Sequence, residues 1–197
     1  MILKLLPNQR VFVTGKTRSG KSYLVLHALV PLFRYYVIYD YKNEIDLPGA
    51  VIFRKISDFR DNPGQPKIIY RPDTGTDDEF NQLCGVVFRR GNTMFVVDEI
   101  VNHCTQHNIQ PNHAKILRLG ASLGIGIINC TQEPVGVHRN LLTQAEHFFI
   151  FDIPDPNHRK KLAGYTGPQV VERVMDYHFW YYSPGMRDPV LMSPVSA

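Results

Sequence analysis

Residues 15–22, Gly-Lys-Thr-Arg-Ser-Gly-Lys-Ser, have the types and spacing of a loop that binds phosphate groups, G-x-x-x-x-G-K-[ST]. They directly follow the apolar run 11–14 and open an apolar helical pattern, which is the context that such a loop requires. The glycines let backbone N–H groups approach a phosphate, and the helix N-terminus adds a partial positive charge. We therefore predict that ATP is bound by Gly15, Lys16, Thr17, Arg18, Ser19, Gly20, Lys21 and Ser22.

Two side chains of this loop have distinct expected roles: Lys21 bridges the β- and γ-phosphates, and Ser22 ligates Mg²⁺. Such a site also needs a carboxylate on its far side, and the apolar run 94–97 ends in Asp98 and Glu99, a pattern typical of a Walker B motif. We predict that Asp98 holds Mg²⁺ and that Glu99 polarises the attacking water as general base. Taken alone, an Asp-Glu pair that caps a helix would be the default interpretation.

A third polar position, Gln132, ends the apolar run 124–131. If this strand lies between the strand before the phosphate loop and the strand before Asp98, Gln132 points at the γ-phosphate. There it could orient water or sense the loss of the phosphate. The alternative is a polar turn residue before Pro134.

Apolar, β-rich runs alternate with helical or loop segments along the chain. Strands are predicted at 11–14, 36–39, 67–70, 94–97, 125–130, 148–151 and 179–182, and helices at 21–34, 77–90, 111–123 and 168–177. Several strands are continuously apolar, as expected when both faces of a parallel sheet are covered. The predicted fold class is α/β: a single domain with a mainly parallel central sheet flanked by helices.

Two segments rich in Pro, Gly and Asp, 43–65 and 152–156, are predicted to be surface loops. Residues 183–197 contain three prolines and are predicted to form an extended tail after a domain of residues 1–182.

The composition fits one globular domain: 197 residues, 44% hydrophobic and 20% charged. The net charge of +4 permits a polyanionic partner without requiring one. The longest apolar stretch, 23–33, is interrupted by His27 and Pro31, so no membrane span is expected. Residues 1–7 show no basic leader followed by a long apolar segment and a cleavage site, so a secretory signal is not expected either. Three widely spaced cysteines indicate free thiols in a reducing compartment: Cys84, Cys104 and Cys130.

Together these motifs resemble the FtsK/HerA-type DNA-pumping ATPases, and within them the small genome-packaging ATPases of membrane-containing icosahedral viruses. The resemblance covers residues 11–182. Besides the phosphate loop and the Walker B acids, it rests on Asp-Tyr-Lys-Asn-Glu at 40–44, similar to the family's D-P-K-x-E segment, and on Thr-Gln-Glu-Pro at 131–134, similar to its T-Q-R-P. The match at 131–134 distinguishes this family from others best, because many families share the phosphate loop.

The sequence departs from the family at two positions. Glu133 stands where arginine is usual, and Ala121 stands where relatives commonly place an arginine. The trans-acting arginine finger that the resemblance implies therefore falls on Arg118, one helical turn earlier, or on Arg139 in the loop after Gln132. A solvent-facing helix arginine is the alternative for Arg118.

The resemblance implies an ATPase of the additional-strand, catalytic-glutamate type that uses ATP and Mg²⁺ to move DNA, double-stranded, into a preformed viral capsid. It implies a homo-oligomeric ring, a hexamer or a pentamer, that meets a capsid-vertex or membrane protein of the virion, in the host cytoplasm or at the packaging vertex.

Two alternative functions stay open. One is a nucleoside or nucleotide kinase, although 125–151 lacks an Arg-rich lid; the other is a nucleotide-switched assembly or export module of a filamentous phage, although such proteins usually carry a membrane anchor.

The segment after the Walker B motif contains four candidate zinc ligands: His103, Cys104, His107 and His113. Their spacing is not that of a known zinc finger and there is no Cys-x-x-Cys, which disfavours a metal site. Contact of this Asn-, Gln- and His-rich loop with a DNA backbone and an ordinary solvated loop are the other interpretations. The basic run His-Arg-Lys-Lys at 158–161 is predicted to be solvated, with phosphate contact as its alternative.

Overall fold

A mainly parallel sheet forms the centre of the fold in the computed structural model, which describes residues 5–195. The strands are β1 (Arg10–Thr14), β2 (Tyr36–Tyr39), β3 (Val51–Phe53), β4 (Lys67–Tyr70), β5 (Met94–Val97), β6 (Cys104–Thr105), β7 (Asn108–Ile109), β8 (Gly126–Thr131), β9 (His147–Ile150), β10 (Phe179–Tyr182) and β11 (Val190–Met192). The order across the sheet is β11-β10-β9-β1-β8-β5-β2-β4-β3, and β6 pairs with β7 in a separate hairpin. Among residues 5–195, only the pairs of β10 with β9 and β11 are antiparallel within this sheet, so the predicted fold class is confirmed.

Helices connect the strands: α1 (Lys21–Tyr23), α2 (Ile56–Asp61), α3 (Asp77–Arg90), α4 (Pro111–Leu119), α5 (Arg139–Thr143) and α6 (Pro156–Thr166). α1 continues as a wider π-helical segment, Leu24–Leu29, and a 3-10 turn, Val30–Leu32, so the helix predicted at 21–34 is present but irregular. Within the described chain, no helix has both the length and the apolar character needed to cross a bilayer.

Alternate residues of each central strand enter different cores, because successive side chains point to opposite faces of a sheet. Val11 and Val13 of β1 pack in one core with Leu24. Phe12 packs in the other core with Phe80 of α3. Since both faces of the strands are buried, the strand ends that carry the polar motifs are fixed in position.

Two segments predicted to be irregular contain regular elements. Residues 43–65 include β3 and α2, and the rings of Phe53 and Phe59 meet edge to face with centroids 5.0 Å apart. The predicted tail at 183–197 contributes β11, which pairs with β10 at the sheet edge. The Pro and Gly residues that indicated loops flank these short elements.

The helix predicted at 168–177 is wrong. That segment holds a single 3-10 turn, Pro168–Val171, whereas the helix before it, α6, was not predicted. α6 begins after Asp155, whose carboxylate accepts a hydrogen bond from the N–H of Asn157 at 2.7 Å. An Asp cap followed by proline is a strong helix start, and it outweighs the weak apolar periodicity of this segment.

Candidate functional site

The polar motifs converge at one edge of the sheet because their strands are parallel neighbours. Thr14, at the end of β1, is in register with Thr131, at the end of β8. On its other side β8 pairs with β5, where Val97 is in register with Asn129. β8 therefore lies between the strand of the phosphate loop and the strand of the Walker B acids. This is the condition under which Gln132 was expected to face the phosphates.

Lys21 holds the phosphate loop in a closed turn. Its ammonium donates to the carbonyl oxygens of Gly15 and Lys16, both at 2.8 Å. Burial lowers the pKa of Lys21, and the negative charges of Glu99 and Asp98 oppose that shift. Position 15 must be glycine, because a Cβ there would lie 2.5 Å from the Cβ of Phe151. The loop thus offers a narrow cradle of backbone with a buried cation at its centre.

Glu99 is held by three hydrogen bonds from the end of β8. One carboxylate oxygen accepts from the hydroxyl of Thr131 and from the backbone N–H of Gln132, both at 3.0 Å, and the other accepts from the side-chain amide of Gln132 at 2.9 Å. The carbonyl oxygen of that amide accepts from the hydroxyl of Thr17 at 2.5 Å. Gln132 therefore links the carboxylate to the phosphate loop. Glu99 itself has φ +58°, a left-handed conformation uncommon for this residue.

Asp98 is less completely paired than Glu99. Burial raises its pKa, and Lys42, whose Nζ lies 3.8 Å from Oδ2, opposes the shift. On the loop, Ser22 is exposed, and Ser19 has a buried hydroxyl with no hydrogen-bond partner among residues 5–195. Hydroxyl and carboxylate oxygens are ligands that Mg²⁺ accepts. A partly buried carboxylate with a raised pKa is stabilised by a cation, so these residues fit a nucleotide with bound Mg²⁺.

Asp40, from the segment that resembles the family's D-P-K-x-E, supports the loop after β2. Its buried carboxylate accepts from the backbone N–H groups of Glu44 and Ile45, both at 3.1 Å, and from the guanidinium of Arg71 at 3.0 Å. This arrangement shapes the loop that carries Lys42 toward Asp98.

A cluster of ion pairs around Asp152 was missed from the sequence. The carboxylate of Asp152 accepts from Arg173 at 2.9 and 2.6 Å, and it pairs with the ammonium of Lys16 at 2.9 Å. The bonds from Arg173 lower the pKa of Asp152 to about 2 against the opposing effect of burial. Lys16 also lies 3.6 Å from Asp176. No local spacing indicates this cluster, because its members come from three separate segments.

The two candidate arginine fingers lie in different places. Arg118 is exposed in the last turn of α4, beside Leu117, whose carbonyl accepts from Arg10 at the start of β1 at 3.0 Å. Arg118 is therefore near the N-terminal edge of the strands, opposite the phosphate loop of its own chain. Arg139 is exposed at the first residue of α5. The role of each arginine stays a prediction.

The histidines after the Walker B motif lie in separate environments. His103 is buried, with Nε2 2.8 Å from the hydroxyl of Tyr39 and Nδ1 2.8 Å from the carboxylate of Asp77. His113 is fully buried, and burial lowers its pKa to about 4. His107 is exposed on the β6–β7 turn. In the part of the chain that the structure describes, no three His, Cys, Asp or Glu side chains are grouped as a metal site requires.

The basic run at 158–161 is engaged in internal contacts. Arg159 donates to the carbonyl of Val171 at 2.7 Å, and Lys161 donates to the carbonyl of Val135 at 2.9 Å. Two of its four residues therefore fasten α6 to neighbouring loops, which the charge pattern did not indicate.

The strand order and the phosphate loop define the fold of a P-loop NTPase in which an extra strand, β8, separates β1 from β5. The sequence is 28% identical to the DNA packaging ATPase P9 of Enterobacteria phage PRD1 over 208 aligned positions, which cover 96% of this chain and 89% of P9. No family profile matches the sequence.

Solved structures extend this similarity. The genome packaging NTPase B204 of Sulfolobus turreted icosahedral virus 2, in complex with ATPγS, superposes with a TM-score of 0.84 at 22% identity, covering 98% of this chain and 100% of that chain. EssC (ATPases 2 and 3) of Geobacillus thermodenitrificans gives a TM-score of 0.61 at 13% identity over 93% of this chain and 39% of that one. The resemblance to packaging ATPases that the motifs indicated is confirmed.

Proposed function

We propose that this chain is an ATP-hydrolysing translocase that packages a viral genome, as double-stranded DNA, into a preformed capsid. The observation that carries the proposal is the position of β8, which places Gln132 in hydrogen bonds with both Glu99 and Thr17. The similarity to P9 and B204, both of which are named as packaging proteins, supports the same function. The chain would act in a homo-oligomeric ring, a hexamer or a pentamer. This ring would work in the host cytoplasm or at the packaging vertex of the virion.

The side chains divide the chemical work between binding and hydrolysis. Lys21 would hold the β- and γ-phosphates, and Ser22 with Asp98 would hold Mg²⁺, which supplies positive charge to the triphosphate. Glu99 would take a proton from the attacking water while Thr131 and Gln132 fix its carboxylate. A neighbouring subunit would supply an arginine, Arg118 or Arg139, to stabilise charge on the departing phosphate.

Gln132 would also report whether the γ-phosphate is present. Its amide spans the gap between Glu99 and Thr17 of the phosphate loop, so a shift of the loop changes the hydrogen bonds of the general base. The acceptor supported by this arrangement is water. A kinase acceptor brings its own hydroxyl and needs no such second acid, which makes the kinase alternative weaker.

The test is ATP hydrolysis by the full chain with and without duplex DNA, alongside a measurement of particle size. We expect inorganic phosphate as product, a ring-sized particle, and turnover that rises with DNA and falls with salt, because phosphate contacts release counterions. Labelled γ-phosphate on a nucleoside monophosphate would instead support the kinase. Lys21→Ala should lose ATP affinity, whereas Lys55→Ala, a control at an exposed lysine just after the edge strand β3, should not.

A further inference from the structure

We infer that an aromatic pocket beside the phosphate loop holds the nucleobase by stacking and accepts adenine and guanine alike. The inference rests on the proposed function, because a base can sit there only if its phosphates occupy the loop. The aromatic pocket is a cavity of about 320 Å³ lined by Gly20, Tyr23, Phe151, Tyr177, Pro194 and Val195.

The aromatic pocket is continuous with the phosphate-binding cavity. That second cavity, about 350 Å³, lies over the phosphate loop and includes Lys21 and Ser22 among its lining residues. Gly20, Tyr23 and Tyr177 line both cavities. A nucleotide whose phosphates bind at Lys21 therefore has a neighbouring apolar space for its base.

Aromatic rings form the walls at the junction of the two cavities. A Cβ added to Gly20 would lie 3.2 Å from a ring carbon of Phe151 and 3.3 Å from a ring carbon of Tyr177, so both rings close directly over this glycine. Tyr177 is nevertheless 57% exposed and Tyr23 is 40% exposed. A stacked base would remove this ring surface from water, and stacking on aromatic side chains contributes substantially to nucleotide binding.

The ion pairs around Asp152 tie the segment that carries Tyr177 to the phosphate loop. Arg173 and Asp176, four residues and one residue before Tyr177, are joined through Asp152 and Lys16 to the phosphate loop. Tyr177 itself has φ +63°, a left-handed conformation that tyrosine rarely adopts. These contacts place the backbone of Tyr177 beside the phosphate loop.

The lining carries no side chain that selects one purine. In these six residues, all of which the structure describes, the polar side-chain atoms are the hydroxyls of Tyr23 and Tyr177. A hydroxyl can donate or accept, so it can meet the amino group of adenine or the carbonyl of guanine. Discrimination between bases requires directed pairs of hydrogen bonds, which the side chains of this pocket do not provide.

The experiment is calorimetric titration of the full chain with ATP, GTP and inorganic tripolyphosphate in the presence of Mg²⁺. We expect ATP and GTP to bind the parent protein within a few-fold of each other. Tyr177→Ala should weaken both by about tenfold and leave tripolyphosphate unchanged, because only the stacking surface is lost. Tyr177→Phe should restore the parent affinity, and Tyr35→Ala, at an exposed tyrosine before β2, should change nothing.

Each contrary result has a distinct meaning. Unchanged ATP affinity in Tyr177→Ala would overturn the aromatic pocket and leave the proposed function standing. An equal loss of tripolyphosphate affinity would also overturn it, because Tyr177 would then shape the phosphate loop. A preference of the parent protein for ATP over GTP of about a hundredfold or more would refute the equal acceptance of purines. Failure to bind any of the three ligands would contradict the proposed function as well.

Discussion

Glu99 and His103 lie four residues apart after the same strand, yet they differ in exposure and in hydrogen-bond partners. Glu99 takes its hydrogen bonds from β8 and Gln132 and stays partly exposed at the phosphate loop. His103 is 3% exposed, and Tyr39 and Asp77 occupy both of its ring nitrogens. Both residues were candidates for a functional role from the sequence. The location of their hydrogen-bond partners shows that only Glu99 faces the phosphate loop.

The difference shows what decides whether a titratable side chain can contact a ligand or only stabilises the core. Both nitrogens of the buried His103 are used within the protein, so it can strengthen the core but cannot reach a ligand. A partly exposed carboxylate that is fixed on one side keeps a free side for water. His113 is also closed to ligands, but by full burial alone, because neither of its ring nitrogens has a hydrogen-bond partner among residues 5–195.

The largest effect outside the Glu99 cluster is expected at Arg118, which would extend the site into a second subunit. Arg118→Ala should bind ATP but lose turnover by about 10³-fold, because the missing charge acts only in the transition state. Steady-state kinetics with a binding assay would measure this. Near-normal turnover would shift the role to Arg139, for which Arg139→Ala is the matched variant.

Mixed rings separate action in trans from a local defect. Subunits with Glu99→Gln still carry Arg118, and subunits with Arg118→Ala still carry Glu99. Interfaces where the two intact halves meet should recover part of the activity. An absence of recovery in rings shown to be mixed would count against Arg118 as a trans-acting residue.

A smaller effect is expected when the link between Glu99 and the loop is removed. Gln132→Ala deletes the side-chain bonds to Glu99 and Thr17. Turnover should fall by about a hundredfold with little change in ATP affinity, because Glu99, the proposed general base, would lose its orientation and not its charge. Gln82→Ala, at an exposed position on α3, is the control. A rise in KM without a fall in kcat would argue that Gln132 serves binding.

Much of the scaffold could be predicted, because it depends on local patterns. α3 matches its predicted bounds: Thr76 caps it, acidic residues fill its first turn, and Gly91 ends it. The placement of β8 could be stated only as a condition, since strand order is a property of the whole sheet. The Asp152 cluster and the aromatic pocket could not be predicted from the sequence, because they join residues that are distant in sequence.

The smallest effect is expected at His113, and it concerns stability. Its pKa is lowered to about 4 from the ordinary 6.5, so the unfolded chain takes up a proton first as the pH falls. The stabilisation is complete above pH 6.5 and is lost between that pH and about pH 4, by roughly 3 kcal/mol. Denaturant unfolding of the parent and of His113→Leu should show a flatter pH dependence in the variant, with turnover near pH 7.5 little changed. Equal slopes would mean that His113 is not held neutral.

Glu99→Gln, measured for ATP binding and for hydrolysis in the same preparation, separates nucleotide binding from the chemical step. In the proposed mechanism Lys21 holds phosphate and Glu99 acts only on water, so affinity should be retained while turnover falls by about 10²- to 10⁴-fold. Hydrolysis by Glu99→Gln at a rate near that of the parent protein would show that Glu99 is not the general base.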